Sequence, residues 1–302
     1  MSVDVKKIST EARNASSIHL DEMSTIELLE TINKEDQLVP LVIKEAIPQI
    51  AKFVDVATEK LANGGRLIYI GAGTSGRIGL LDASECPPTF GVDKEKVMGL
   101  LAGGLEAFVS AKEGAEDSAE LGIEDCKRIN LNSNDCLVGI AASGRTPYVI
   151  GAIKYAKSIK AVTGCIVNAS NSVLASLVDY PMEAVTGAEV LSGSTRMKSG
   201  TAQKLICNMI STSIMTKLGH VYQNLMIDVV ATNEKLVARQ LGIIQSAIEV
   251  DASTASDLLK RYKTVKLAIF GYLTGATPEE AESLLLLHNN NLTKSLKDYK
   301  ND

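Results

Sequence analysis

The sequence predicts an α/β protein: a three-layer αβα domain around a parallel sheet of about five strands, with an N-terminal helical arm and a C-terminal helical region. Three observations predict it. Between Arg66 and Val185 short apolar segments alternate with segments of helical periodicity, the pattern of a parallel sheet covered on both faces. Loops of small and hydroxyl-bearing residues recur at strand ends, as GAGTSGR at 71–77, AASGRTP at 141–147 and GSTRMKSGT at 193–201. From about Gln223 onward the apolar residues keep helical spacing alone.

Each element has a local reason. Ser24-Thr-Ile-Glu27 is a capping-box pattern that starts a short helix carrying Ile26, Leu28 and Leu29, read as an arm packed on the body. From Gln37 to Ala62, Leu38, Val42, Ile43, Ile47, Ile50 and Val54 recur at helical spacing, with a break or kink at Pro48 and a stop at Gly64-Gly65. Predicted strands are Leu67 to Ile70, Val97 to Leu101, Cys136 to Ala141, Gly164 to Val167 and Pro181 to Val185. Helices fill the gaps, among them Pro147 to Lys157, where proline suits the first turn. After the third loop, Leu205, Ile206, Met209, Ile210, Ile214 and Leu218 form the stripe of a long helix. A helix from about Asp228 to Ala247 follows, then a small three-helix module in which Thr277-Pro278-Glu279-Glu280 caps one helix.

Composition excludes several functions. The 302 residues allow one large or two moderate domains, and 45% hydrophobic residues supply a substantial core. A net charge of −5 argues against nucleic acid held on a broad basic face, and 4% aromatics with no Trp disfavour base stacking. Five cysteines without C-x-x-C spacing indicate neither a disulfide framework nor a zinc site and fit a reducing compartment. Cys86 reads as a small buried residue rather than a nucleophile. His19, His220 and His288 lie in no metal-ligand motif. The segment MSVDVKKIST has no apolar signal core, and no apolar run approaches the roughly 20 residues that span a bilayer, so a soluble cytoplasmic protein without membrane attachment is expected.

The chemistry centres on RLIYIGAGTSGRIGLLDASECPPTFG, residues 66–91. A strand turns through Gly-Ala-Gly-Thr-Ser-Gly into a helix. Close backbone approach, unpaired N–H groups, the helix dipole and the hydroxyls of Thr74 and Ser75 suit an anion there. Asp82, Glu85 and Pro87-Pro88 fall where that helix is expected to end, placing a carboxylate within reach of the loop and pointing to a phosphorylated small molecule. GAGTSG also satisfies G-x-G-x-x-G, but the strand Val97 to Leu101 runs into Ala102-Gly103-Gly104, and Glu106 comes late for the acid a dinucleotide site needs. Met197 stands where a Walker loop has glycine, which removes NTP hydrolysis. Acid and base candidates are Glu85, among apolar and proline neighbours that favour a raised pKa, and the cluster Glu106, Glu113, Glu116 and Asp117.

The motifs GAGTSGRIGLLDASECPPTFG, EGAEDS, AASGRTPYVIGA and GAEVLSGSTRMKSGTAQK closely resemble the N-acetylmuramic acid 6-phosphate etherases, from about Glu11 to the C-terminus. The last motif is shared with glucokinase regulatory protein, a relative that binds sugar phosphates without catalysis. The resemblance implies a sugar isomerase (SIS) domain at 57–220, between a helical arm at 1–56 and a helical region at 221–302, in a homodimer whose sites can draw on both subunits. It implies a lyase that releases D-lactate from N-acetylmuramic acid 6-phosphate during cell-wall recycling, with no metal or organic cofactor. The family's two functional glutamates fall on Glu85 and Glu116; the choice of Glu116 over Glu113 rests on the resemblance. The implied division of labour makes Glu85 the acid to the lactate oxygen and then the base to water, and Glu116 the acid/base for ring opening or C2 deprotonation. Phosphate contacts are expected from Ser75, Ser143, Gly144, Thr146 and Ser194, with Thr74 as a further candidate. Arg77, Arg145, Arg196 and Lys198 either add charge or pair with carboxylates. A phosphosugar isomerase and a regulatory sugar-phosphate binder are the alternatives. Retention of both glutamates favours the enzyme.

Overall fold

The computed structural model describes residues 9–110, 112–231 and 233–300. Five parallel strands, β1 (Leu67–Gly71), β2 (Val97–Leu101), β3 (Cys136–Ile140), β4 (Val162–Val167) and β5 (Tyr180–Glu183), lie in the order β2-β1-β3-β4-β5. Gly71 at the end of β1 aligns with Leu101 of β2 and Ile140 of β3. Every residue of β1 and β3 is buried, which explains their unbroken apolar runs. The predicted strands all form, with ends displaced by at most two residues.

Helix α1 (Thr25–Asp36) opens on the expected capping box: the Glu27 amide donates to Ser24 Oγ (3.5 Å), and the Ser24 amide donates to Glu27 Oε2 (2.8 Å). Its contact with the body is partial: Leu28, Thr31 and Ile32 are half-buried and Glu35 pairs with Lys198 at 2.6 Å, while Ile26 and Leu29 are 62% and 55% exposed. Helix α2 (Val39–Ala62) continues through Pro48. Helix α3 (Gly73–Phe90) likewise runs through Pro87 and Pro88 rather than ending there. The prolines remove two amide donors but their φ remains helical, and the Gly91 amide resumes bonding to the Pro87 carbonyl at 2.9 Å.

The chain divides into two compact units, Met1–Ser84 with Lys94–Ser211 and Glu85–Asp93 with Thr212–Asp302. The first holds the sheet. Helices α4 (Ala119–Arg128) and α5 (Pro147–Ser158) cross there at backbone distance: a Cβ on Gly122 would lie 2.0 Å from the Tyr148 carbonyl oxygen, and one on Gly151 2.2 Å from that of Ala119. The Tyr148 hydroxyl donates to buried Asp125 Oδ2 (2.6 Å), and Arg128 donates to Oδ1 (2.6 Å). Burial above all pushes the Tyr148 phenol far up, followed by its bond to Asp125. At the opposite end of the strands Asp135, 1% exposed, joins β1 to β3: it receives the Arg66 amide (3.1 Å), Arg66 Nη2 (2.6 Å) and the Asn132 amide (3.0 Å). Beyond them come α6 (Val173–Leu177) and α7 (Lys198–Leu218).

In the second unit a small antiparallel pair, β6 (Val221–Tyr222) and β7 (Leu225–Met226), precedes α8 (Glu234–Ile248), α9 (Ala252–Tyr262), α10 (Val265–Thr274), α11 (Pro278–Leu287) and α12 (Leu292–Tyr299). The helix predicted from Asp228 therefore begins at Glu234, where Asn233 Oδ1 caps the Leu236 amide (3.0 Å). Asp228 instead accepts from Lys266 Nζ (2.7 Å) and meets His220 Nδ1 (2.8 Å). Thr277 and Glu280 form the expected capping box on α11. All five cysteines are buried and none forms a disulfide, and burial pushes the thiols of Cys126, Cys136 and Cys165 up to about 12. No helix among the described residues is long and apolar enough to cross a membrane.

Removing the Asp135 carboxylate strands a partly buried guanidinium and two backbone donors. Asp135→Ala should cost about 3 kcal/mol, the lower end for a broken buried ion pair. That corresponds to a fall of roughly 6–12 °C in melting temperature for a unit of this size. A fall under about 2 °C by differential scanning fluorimetry would remove this clamp from the account.

Candidate active site

Strand order decides where a ligand can sit. The chain leaves β1 for β2 on one side and returns to β3 on the other, so the crossovers diverge at the carboxyl ends of β1 and β3, the switch point at which open α/β sheets bind ligands. A cavity of about 490 Å³ lies there. Gly73, Thr74 and Ser75 from the first turn of α3 form part of its wall, and Ser143, Arg145 and Thr146 from the loop before α5 form another part.

Both helices present their amide ends. In α3 the first intrahelical bond is made by the Gly76 amide to Ala72 (3.2 Å), which leaves the preceding amides facing outward. In α5 the first is made by Ile150 to Thr146 (3.1 Å), and the N-cap Thr146 side chain makes no capping bond, so its hydroxyl is available to a ligand. Unpaired amides, two positive dipole ends and the hydroxyls of Thr74, Ser75, Ser143 and Thr146 suit a phosphate.

Gly144 acts through the turn: it sits at φ +63°, its amide donates to the Ala141 carbonyl (3.0 Å), and a Cβ there would lie 2.4 Å from that of Ser172. The third loop enters the wall through Gly193 and Thr195, on either side of Ser194. The N-terminus of α7 is already satisfied by fully buried Glu189, whose carboxylate accepts from the Lys198 amide (2.9 Å), the Ser199 amide (2.9 Å) and Ser199 Oγ (2.8 Å).

The basic residues sort themselves accordingly. Lys198 is buried and pairs with Glu35 at 2.6 Å. Burial tends to raise the Glu35 pKa, but bonds from Lys198, Asn14 and Ser16 hold it below its ordinary value. Arg77 donates to the carbonyls of Phe108 and Ala107 (2.8 Å each). Arg196 is exposed, and Arg145 is the cation on the cavity wall among the described residues.

The acids separate as well. Glu116 and Asp117, on a 3-10 turn at Ala115–Asp117, line the cavity; Glu113 is exposed away from it, and Glu106 pairs with Lys112 at 2.9 Å. Glu11, in the polar N-terminal stretch where sequence periodicity gives no signal, also lines the cavity. Glu85 does not. Because α3 continues through the prolines, Glu85 lies on its exposed side twelve residues beyond Gly73, about 18 Å along the axis at 1.5 Å per residue. One turn earlier, burial raises the Asp82 pKa, against the lowering effect of bonds from Ser211 and Tyr69. Among the described residues no group of His, Cys, Asp and Glu is arranged to hold a metal ion.

Comparison with known proteins places this geometry in a family. Residues 49–157 match the model of the glucokinase regulatory protein N-terminal SIS domain. In fold the chain is similar to a phosphoheptose isomerase from Francisella tularensis, at a TM-score of 0.50 and 18% identity, covering 64% of this chain and 100% of that one. It is 52% identical to the N-acetylmuramic acid 6-phosphate etherase of Halalkalibacterium halodurans over 280 residues, 92% of this chain and 94% of that protein. It is 49% identical to the etherase of the same name from Clostridium beijerinckii over 301 residues, 99% of each. At such identity over nearly the whole length, the chain belongs to the N-acetylmuramic acid 6-phosphate etherase family.

Proposed function

We propose that this chain cleaves the lactyl ether of N-acetylmuramic acid 6-phosphate, giving N-acetylglucosamine 6-phosphate and D-lactate, in cytoplasmic recycling of cell-wall amino sugars. The observation that carries the reading is near full-length identity of about half to proteins named for this reaction. The site's geometry supports it: a cavity whose wall pairs an anion cradle with a carboxylate, Glu116.

The phosphate rests against the first turns of α3 and α5, held by the hydroxyls of Ser75, Ser143 and Thr146 with Thr74 beside them; Gly144 shapes their loop, and Ser194 completes the seat from the third loop. Ring opening exposes an aldehyde at C1, which acidifies the proton on C2. Glu116 takes that proton, the C3–O bond breaks, and lactate leaves as its ether oxygen is protonated by Glu85. Water then adds at C3 of the unsaturated aldehyde, giving up a proton to Glu85 while C2 is reprotonated. Each positioned proton transfer is worth roughly 10² to 10⁴ in rate.

Glu85 enters this scheme from a second copy of the chain. It is exposed and lies far along α3 from the loop, and apolar side chains at Leu81 on the same helix and at Ile26, Leu41 and Ile47 on α1 and α2 are also exposed, as a face covered in a homodimer would be.

Two outcomes test the reading. Glu85→Gln and Glu116→Gln should each lower lactate release at least ~10²-fold, the minimum for a lost acid or base, while sugar-phosphate binding persists. Mixing the two inactive variants should restore about a quarter of the wild-type rate, because half of randomly re-paired two-fold dimers then carry one intact site. No recovery after subunit exchange would place Glu85 outside the partner's site. Ser75→Ala should weaken inorganic phosphate binding about 10- to 100-fold, the worth of a hydrogen bond to a charged group. Calorimetry showing unchanged affinity would move the phosphate away from α3.

A further inference from the structure

We propose that Glu11 is the cavity's recognition residue for the sugar chain, accepting hydrogen bonds from its hydroxyls beside the phosphate seat. The proposal rests on the sugar-phosphate reading above for the identity of the ligand. Glu11 closes a 3-10 turn, Ser9–Glu11, is half-buried and lines the same cavity as Ser75, Ser143 and Glu116. Its carboxylate lies over the third loop: a Cβ on Gly193 would stand 3.0 Å from Glu11 Oε2.

The segment behind Glu11 is fixed to that loop. Asn14 Nδ2 donates to the Ala188 carbonyl (3.1 Å), and Ser17 Oγ donates to that of Val190 (2.7 Å). Ser16 Oγ donates to Glu35 (2.9 Å), which is itself tied to Lys198 at the start of α7. The N-terminal arm thus delivers one acidic side chain to the cavity and is held in register by bonds spanning more than 150 residues of sequence.

Among the described residues the Glu11 carboxylate has no hydrogen-bond or ion-pair partner, so its oxygens are free to accept from a ligand. An anion is the wrong ligand for a carboxylate, and the phosphate has its own seat at the amide ends of α3 and α5. A sugar's hydroxyls are neutral donors, and adjacent ones match the two oxygens of one carboxylate. A site built to bond a hydroxyl discriminates strongly against ligands lacking it, because the acceptor is then desolvated without a partner. Glu11 therefore separates a sugar phosphate from inorganic phosphate, which the helix ends alone hold equally well.

The test compares wild type, Glu11→Gln and Glu11→Ala in the full-length protein. Calorimetry measures binding of N-acetylglucosamine 6-phosphate and of inorganic phosphate, and lactate release gives kcat and KM. The alanine variant should lose about 10- to 100-fold in sugar-phosphate affinity and raise KM in step, with kcat and inorganic phosphate affinity nearly unchanged. The glutamine variant, which keeps one acceptor oxygen, should fall between. Equal losses for both ligands would show that Glu11 only shapes the cavity. Unchanged affinities would show that it touches no ligand. A kcat loss of about 10² at unchanged KM would make it part of the chemistry instead. Each of these three overturns the proposal. Absence of lactate release by the wild type would count against the etherase reading alone, since the binding comparison still decides the role of Glu11.

Discussion

Two helices begin side by side because the chain leaves β1 in one direction and comes back to β3 from the other. That divergence is the constraint on which the site depends. Each helix start carries amides that no preceding turn can satisfy, and at this place they face a cavity rather than bulk solvent. A ligand with a doubly charged phosphate satisfies both ends at once, so the fold supplies binding energy before any side chain is chosen. The side chains then add hydroxyls at Thr74, Ser75, Ser143 and Thr146 rather than a row of cations, which keeps the wall polar without requiring its own counter-charges.

The third helix start shows the same constraint solved the opposite way. Glu189, wholly buried, gives both carboxylate oxygens to the first amides of α7, and Lys198 is drawn to Glu35 on α1. These internal charge pairs hold the loop at 193–195 and the N-terminal arm together. They also free the cavity wall to carry unpaired acids. Glu116, Asp117 and Glu11 stand there with Arg145 as the cation among the described residues, an arrangement suited to moving protons and gripping hydroxyls once the phosphate is neutralised by the helix ends.

Much of this was legible in the chain. The strands were readable because a sheet buried on both faces needs continuous apolar runs, and Ser24-Glu27 and Thr277-Glu280 announced their caps through purely local bonds. Misreadings arose where a tertiary effect outweighed a local signal. Pro87 and Pro88 are strong helix breakers, yet α3 passes through them to Phe90. The helix expected from Asp228 starts at Glu234 because Asp228 is engaged by His220 and Lys266 instead. Glu11 and Glu189 gave no signal, since their roles depend on partners far away in sequence or on burial that no periodicity encodes. The resemblance to the etherases singled out Glu116, and the 3-10 turn gives a physical difference between it and Glu113 that spacing did not contain.

In the proposed reaction lactate leaves by cleavage of the sugar's C3–O bond, with water entering at the same carbon. Turnover of N-acetylmuramic acid 6-phosphate in ¹⁸O-water, followed by mass spectrometry of both products, tests it most directly. Unlabelled D-lactate and one ¹⁸O at the C3 hydroxyl of N-acetylglucosamine 6-phosphate are expected, after correction for exchange at the aldehyde. Label in the lactate, with none at C3, would mean that the lactyl C–O bond is the one broken and would contradict it.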